Sequence, residues 1–261
     1  MIANNRIKRW AMVLIVLTLA VTTASAEMVD GITTMDVPYT VNGQQLIGYL
    51  AFDESITAPR PGVLVVHEWL GINAYAKKRA VDLAKEGYVA FAVDMYGDGK
   101  EIPMSEARSM SGAVGSDFPL IESRFNAALD ILESHEKVAG DRIAAIGYCF
   151  GGGIVLNMAR MGTDIDGVVS FHGSLNTGLT AERGDIETRI LAIQGDGDPV
   201  APRERQNAFR DEMDSAGADL TYIVYDNVDA HNFTNPEGRS YYAREAEMAW
   251  DSMLDFFDEI F

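Results

Sequence analysis

The sequence of 261 residues contains a single cysteine and few basic residues, with 21 Lys and Arg against 39 Asp and Glu. One cysteine cannot form a disulfide within the chain, so we expect no disulfide framework. The formal net charge of −18 predicts a surface that repels nucleic acid and anionic lipid head groups. No basic run interrupts the acidic residues, and we interpret them as a solvated surface without a nucleic-acid partner.

Motifs for common metal and cofactor sites are also missing from the sequence. It has no H-E-x-x-H, no other cluster of His, Cys and Asp with metal-ligand spacing, and no G-x-G-x-x-G that opens a helix after a strand. We therefore expect a function that requires neither a metal ion nor an organic cofactor.

Residues 1–26 have the layout of a secretory signal peptide. Basic residues within positions 6–9 precede an apolar run over residues 10–21, and the small residues at positions 24–26 form an A-x-A cleavage site. We expect cleavage after Ala26, which leaves residues 27–261 as one domain in the periplasm or outside the cell. After cleavage this domain would have no stable membrane association. An uncleaved N-terminal anchor is the alternative.

Strands and helices alternate along the rest of the chain. The dipeptide Asn42-Gly43 predicts a hairpin, and the apolar run at residues 63–66 predicts a strand covered on both faces. Further strands are predicted at 89–93, 143–146, 168–171, 190–193 and 220–225, with helices at 74–86, 121–134, 152–161, 205–216 and 241–260. This order predicts an α/β fold with a mostly parallel sheet and helices on both faces. The least regular stretch, residues 96–119, is too short for a large cap domain and is expected to line or cover a pocket.

The strongest local motif is Gly147-x-Cys149-x-Gly151, directly between a predicted strand and a predicted helix. It is a cysteine version of the nucleophile elbow of α/β-hydrolases, in which small flanking residues allow a strained turn. A helix N-terminus also favours the thiolate over the thiol. A lone cysteine without this context is more often a buried structural thiol. Its placement therefore predicts that Cys149 is a nucleophile.

A base and an acid follow Cys149 in the order expected for this fold. His231 lies after the last predicted strand, and Asp198 lies after the strand before it. We favour Asp198 because Pro199 fixes a turn that would aim the carboxylate at the sheet edge. Asp196 is the alternative acid, or it caps the loop through an Asx turn. His172 ends another strand, and we expect it to serve in packing or a hydrogen bond near the site.

Two backbone N–H groups are needed to stabilise the oxyanion of an acyl-transfer reaction. We expect them at Phe150, directly after the nucleophile, and at Trp69, in the loop after the first central strand. Glu68 in the same loop would place a buried carboxylate close to the thiol.

Several blocks of the sequence resemble the dienelactone hydrolase family from about Asp36 to the C-terminus. The blocks are His67-Glu68-Trp69-Leu70-Gly71, Asp94-Met95-Tyr96, Gly147-Tyr148-Cys149-Phe150-Gly151-Gly152, Gly195-x-x-Asp198 and His231-x-Phe233. The resemblance implies a Cys–Asp–His triad, a compact α/β-hydrolase domain without a large cap, and hydrolysis of an enol-lactone through an acyl-enzyme. It also implies that Glu68 holds the resting thiol and helps its activation.

At two positions the sequence departs from that family. Enzymes that act on dienelactone grip the substrate carboxylate with two arginines, and the corresponding positions here are Asp98 and Asn235. We therefore expect a small carboxylic ester or lactone as substrate, and weak binding of an anionic lactone. A non-catalytic binding protein on this scaffold and a periplasmic thiol that is oxidised reversibly at Cys149 are the alternatives.

Overall fold

A computed structural model of the chain describes residues 26–176 and 178–261. The predicted signal peptide lies almost entirely outside the described residues. The strands are β1 Glu27–Val29, β2 Ile32–Val41, β3 Gln44–Phe52, β4 Arg60–Val66, β5 Val89–Val93, β6 Val138–Tyr148, β7 Gly167–Phe171, β8 Arg189–Gly195 and β9 Leu220–Tyr225. The helices are α1 Ala74–Lys85, α2 Met104–Gly115, α3 Phe118–Glu133, α4 Phe150–Arg160, α5 Arg203–Ala216 and α6 Ala243–Ile260.

The described strands form one nine-stranded sheet in the order β1-β2-β3-β5-β4-β6-β7-β8-β9. Strands β1 to β3 pair antiparallel, and β3 meets β5 antiparallel. From β5 to β9 every neighbouring pair is parallel. The central strands are buried on both faces, which agrees with their continuous apolar sequences. The prediction of a mostly parallel α/β sheet is confirmed.

Helices cover both faces of the sheet. On one face, residues of α2, α3, α4 and α5 pack into a core with alternate side chains of the strands, while α1 and α6 build the core on the other face. Within the described ranges there is no separate cap domain. None of the helices that the structure describes is long and apolar enough to cross a membrane.

The expectation that residues 96–119 lack regular structure is wrong in part. Residues 104–115 form helix α2, which begins after Pro103 and buries only Ala107 and Val114. Because so few of its residues are buried, its sequence has only a weak amphipathic pattern. The expectation that this stretch lines a pocket is confirmed, as shown below.

The register of the parallel strands brings the loops that carry the candidate site to one edge. Val66 at the end of β4 pairs with Gly147 of β6, and Tyr148 pairs with Phe171 at the end of β7. Phe171 in turn pairs with Ile193 of β8. The loops after β4, β6, β7 and β8 therefore leave the sheet side by side, where ligands bind in open α/β sheets.

Candidate active site

Cys149 occupies a sharp turn between β6 and α4. Its backbone has φ 53° and ψ −111°, and it is the N-cap residue of α4. A non-glycine residue with positive φ costs about 1–3 kcal/mol and persists only where its surroundings hold it. Here the Cys149 amide donates to the Phe171 carbonyl at 3.1 Å, and the Cys149 carbonyl accepts from Gly153 at 3.2 Å. The strained turn is thus fixed by hydrogen bonds on both sides.

Glycines on either side of Cys149 are required by close backbone contacts. A Cβ on Gly147 would collide with the carbonyl of Gly151, and a Cβ on Gly151 would collide with the carbonyl of Val66. These contacts explain the Gly147-x-Cys149-x-Gly151 motif in physical terms. They also seat the N-terminus of α4 directly against the end of β4.

His231 and Asp198 meet in a direct hydrogen bond. His231 Nδ1 lies 2.8 Å from Asp198 Oδ2, and Asp198 is only 1% exposed. The other oxygen of Asp198 accepts from the amides of Val200 at 2.8 Å and Ala201 at 3.4 Å. The carboxylate is therefore held by the turn that follows it, with one oxygen directed at the imidazole.

Asp196, the alternative acid, has a different partner. Its carboxylate forms an ion pair with Arg203 at 2.5 Å, and it makes no contact with His231 among the described residues. The Asx-type bonds that the sequence suggested for Asp196 are made by Asp198 instead.

The environment of His231 favours a protonated imidazole. Burial opposes the charge, but the hydrogen bond to Asp198 and the neighbouring thiol of Cys149 outweigh it and raise the pKa of His231 to about 10. Nε2 of His231 is buried and faces the Cys149 thiol, although the two groups do not meet hydrogen-bond geometry in the described part of the chain. This nitrogen is thus free to exchange a proton with a group in the site.

Glu68 is a buried carboxyl group with one weak partner. It is 6% exposed, and its Oε2 accepts from Asn235 Nδ2 at 3.4 Å. Burial raises the pKa of Glu68 to about 7, although Asn235, His231 and Arg79 act in the opposite direction. Asn235, one of the two residues at which the sequence departs from enzymes that act on dienelactone, therefore contacts Glu68.

The amides expected to form an oxyanion hole border the same cavity. Neither the Phe150 nor the Trp69 amide donates a hydrogen bond to another described residue. The loop that carries Trp69 is fixed because Tyr96 donates to the Trp69 carbonyl at 3.1 Å. His67 stacks on Phe150 with ring centroids 5.9 Å apart.

His172 lies beside the site, as predicted, and makes a hydrogen bond. Its ring is fully buried and sits 5.4 Å from the ring of His231 between centroids. His172 Nε2 lies 2.8 Å from Thr234 Oγ1. Burial, aided by the positive charge of His231, holds the pKa of His172 well below its usual value. Thr234 was not singled out from the sequence, since no local pattern marks it.

A cavity of about 910 Å³ opens over these groups. Its lining includes Glu68, Trp69, Cys149, Phe150 and His231. The opposite wall is formed by α2, through Met104, Arg108, Ser111, Gly112 and Gly115. The volume lies in the range of pockets that bind small molecules.

The cavity charges differ from those that the sequence alone suggested. Asp98 does not line the cavity and pairs with Lys100 at 2.9 Å. Arg108 is the only Lys or Arg among the described lining residues, and its side chain makes no hydrogen bond or ion pair there. Arg108 was not among the residues predicted for the site, because the sequence of α2 has no strong helical pattern.

The sheet, the strained turn at Cys149 and the cavity at the carboxyl edge define an α/β-hydrolase. A model of the dienelactone hydrolase family matches residues 46–261. The chain belongs to this family, whose members are carboxylic ester and lactone hydrolases. The resemblance recognised in the sequence is thereby confirmed.

Individual relatives agree with this assignment. A Bradyrhizobium protein named "Probable 2-oxo-3-(5-oxofuran-2-ylidene)propanoate lactonase" is 29% identical over 223 residues, which cover 82% of this chain and 89% of the relative. Protein usf of Aquifex pyrophilus is 28% identical over 234 residues, covering 85% and 97%. The crystal structure of a dienelactone hydrolase-like promiscuous phosphotriesterase from metagenomic libraries superposes with a TM-score of 0.81 at 33% identity, covering 88% and 99%.

Proposed function

We propose that this protein hydrolyses a small carboxylic ester or lactone through Cys149 as nucleophile, His231 as acid and base, and Asp198 as the residue that orients His231. The amides of Phe150 and Trp69 would stabilise the oxyanion, and Glu68 would hold the resting thiol. The 2.8 Å bond between His231 and Asp198, beside a strained cysteine in a cavity, is the observation that carries the proposal. No cofactor is part of this mechanism.

Acylation begins with the thiolate of Cys149. Its Sγ attacks the carbonyl carbon, and the carbonyl oxygen takes negative charge against the two amide N–H groups. When the tetrahedral intermediate collapses, the bond to the leaving oxygen breaks and His231 gives its Nε2 proton to that oxygen. In a lactone the leaving alkoxide stays tethered to the acyl group.

Deacylation reverses the role of His231. Once Cys149 is a thioester it no longer carries charge, so one of the influences that raise the pKa of His231 is lost. The neutral imidazole then takes a proton from water, whose oxygen attacks the thioester carbonyl. Collapse releases the carboxylic acid and the thiolate, and the thiolate faces the imidazolium again. Asp198 fixes the tautomer of the neutral imidazole and stabilises the imidazolium each time it forms.

The cavity is consistent with a small organic substrate. Trp69, Leu70 and Ile154 give it apolar surface. The lactonase name of the Bradyrhizobium relative supports the inclusion of cyclic esters. An anionic lactone would have only the Arg108 guanidinium as a cationic partner among the described lining residues, since Asn235 stands next to Glu68 in place of an arginine, and we expect it to bind more weakly than to a two-arginine site.

The experiment is a panel of short acyl esters and lactones with the purified mature protein and Cys149→Ala. We expect turnover in the wild type, loss by about 10³-fold or more in the variant, and an acyl adduct on Cys149 by intact mass. Unchanged turnover in the variant would refute the nucleophile assignment. A wild type that turns over no ester or lactone would favour a binding function.

We also propose that residues 1–26 direct export and are removed. N-terminal sequencing of the protein recovered from the periplasm or medium of an expressing cell should give Glu27 as the first residue. Recovery of an intact N-terminus in the membrane fraction would favour an anchor instead.

A further inference from the structure

Thr234 lies between two residues of the candidate site. It follows His231 by three positions and precedes Asn235, which contacts Glu68. The side chain is 2% exposed, although a threonine in a loop is usually exposed. Any movement of Thr234 would therefore affect the imidazole on one side and the buried carboxyl on the other.

Three groups from outside the loop bind Thr234. Its Oγ1 lies 2.8 Å from Tyr75 Oη and 2.8 Å from His172 Nε2. Its carbonyl oxygen accepts from Arg79 Nη2 at 2.9 Å. Both the side chain and the backbone of this one residue are thus fixed.

Tyr75 and Arg79 come from the same face of α1, because residues four apart are neighbours on a helix surface. The Arg79 guanidinium lies over the Tyr75 ring at 4.9 Å and over the Trp250 ring at 5.2 Å. An ion pair with Asp82 at 3.2 Å holds it further. The two side chains that α1 contributes to the contacts of Thr234 are therefore held in place.

The third group, His172, packs directly against the proposed base. Its ring is neutral, since burial holds its pKa well below the usual value, and a neutral ring adds no repulsion to the charged His231. The Thr234 hydroxyl has one hydrogen, so it donates to one of its two partners and accepts from the other. Removal of the hydroxyl would take from buried His172 Nε2 the partner it has among the described residues, and it would leave Tyr75 Oη with the Arg79 guanidinium alone.

We propose that Thr234 is a positioning residue of the hydrolytic site: clamped by Tyr75, Arg79 and His172, it aligns His231 with Cys149 and keeps Asn235 on Glu68. The inference rests on the proposed function of Cys149 and His231. Thr234 does not touch the reacting atoms.

The test compares Thr234→Val, which keeps the shape but loses the hydroxyl, with Thr234→Ser, which keeps the hydroxyl. We expect Thr234→Val to lower kcat about 10-fold or more while KM stays within about twofold, because misalignment acts on the transition state. The rate at which iodoacetamide alkylates Cys149 at pH 7 should fall about threefold, since a displaced imidazolium stabilises the reactive thiolate less. Thr234→Ser should restore both values.

Thr188→Val is the matched control. Thr188 is 3% exposed and donates to the Thr163 carbonyl at 2.6 Å, but it precedes β8 at the opposite edge of the sheet. Thr188→Val should lose thermal stability without a change in kcat or in the rate of Cys149 alkylation. Wild-type kinetics in Thr234→Val, or no recovery in Thr234→Ser, would overturn the proposal.

Tyr75→Phe decides the question if Thr234→Val does not fold. It removes one of the two bonds to Oγ1 and should lower kcat about threefold, whereas unchanged kcat would overturn the proposal. Cys149→Ala distinguishes a failure of the proposed function from a failure of the positioning role of Thr234. If Cys149→Ala retains turnover, the proposed function fails; if it is inactive while Thr234→Val is fully active, only the positioning role fails.

Discussion

Two loops at the carboxyl edge of the sheet each hold a buried aspartate, and the two carboxylates are used in different ways. Asp94 follows β5, and its oxygens accept from the amides of Ile47 at 3.0 Å, Tyr96 at 3.0 Å, Gly97 at 2.7 Å and Gly99 at 2.7 Å. All of these donors are backbone groups. The carboxylate closes the loop after β5 and ties it to the hairpin β2–β3.

Asp198 follows β8 and is bound by backbone on one oxygen only. Val200 and Ala201 donate to Oδ1, whereas Oδ2 is left for His231. Position at the sheet edge and burial are the same for both aspartates. The candidate catalytic carboxylate is therefore the one that keeps an oxygen free of the local backbone.

The largest expected difference between the two aspartates is in the loss of kcat when each is replaced by asparagine. Asp198→Asn should lower kcat about 10²- to 10⁴-fold, because an amide cannot stabilise the imidazolium or fix its tautomer. The change in unfolding free energy should be much smaller than the increase in activation free energy that corresponds to this loss of kcat. Steady-state kinetics and thermal unfolding of the same preparation measure both quantities, and a variant within tenfold of wild-type kcat would remove Asp198 from the triad.

Asp94→Asn should give the opposite result. The Nδ2 group of an asparagine cannot accept, so amides that now bind the carboxylate would be left buried and unpaired, at a cost of about 2–3 kcal/mol in unfolding free energy. The kcat of the folded fraction should stay within about threefold of wild type. Urea unfolding checks the first value. A kcat loss as large as that of Asp198→Asn would erase the distinction between the loops.

The sequence predicted the strands and long helices because their apolar residues recur with the period of each element. It placed the residues of the candidate site in the correct loops because parallel strands bring their carboxyl ends to one edge. Helix α2 was missed, since it buries little apolar surface. The clamp on Thr234 could not be predicted, since its contacts to Arg79 and Tyr75 join residues 155 and 159 positions apart.

The loop after β4 holds a third buried carboxyl group, Glu68. Among the described residues its side chain accepts no backbone hydrogen bond, unlike Asp94 and Asp198. Its pKa is raised from 4.5 to about 7, so the folded protein favours the neutral acid. Protonated Glu68 therefore contributes fully to the stability of the folded state below pH 4.5, the pKa of an unperturbed glutamate. This contribution falls as the pH rises and is lost once the pH passes about 7. A shift of this size corresponds to at most about 3 kcal/mol.

Glu68→Gln should remove that pH dependence, because glutamine stays neutral. We expect the variant to match the wild type near pH 4 and to exceed it in unfolding free energy by about 1–3 kcal/mol at pH 8. Chemical denaturation at both pH values measures the difference. An equal stability gap at both pH values would mean that packing, and not ionisation, distinguishes the two side chains.

Asp196→Asn should have the smallest effect, although Asp196 is only two positions from Asp198 in the same loop. Its partner Arg203 has a side chain that is 71% exposed, and exposed ion pairs contribute about 0–1 kcal/mol. We expect kcat within about twofold of wild type. A loss of 10²-fold would mean that His231 exchanges Asp198 for Asp196 during turnover. Wild-type kinetics would restrict the catalytic contribution of this loop to the one oxygen, Oδ2 of Asp198, that the backbone leaves free.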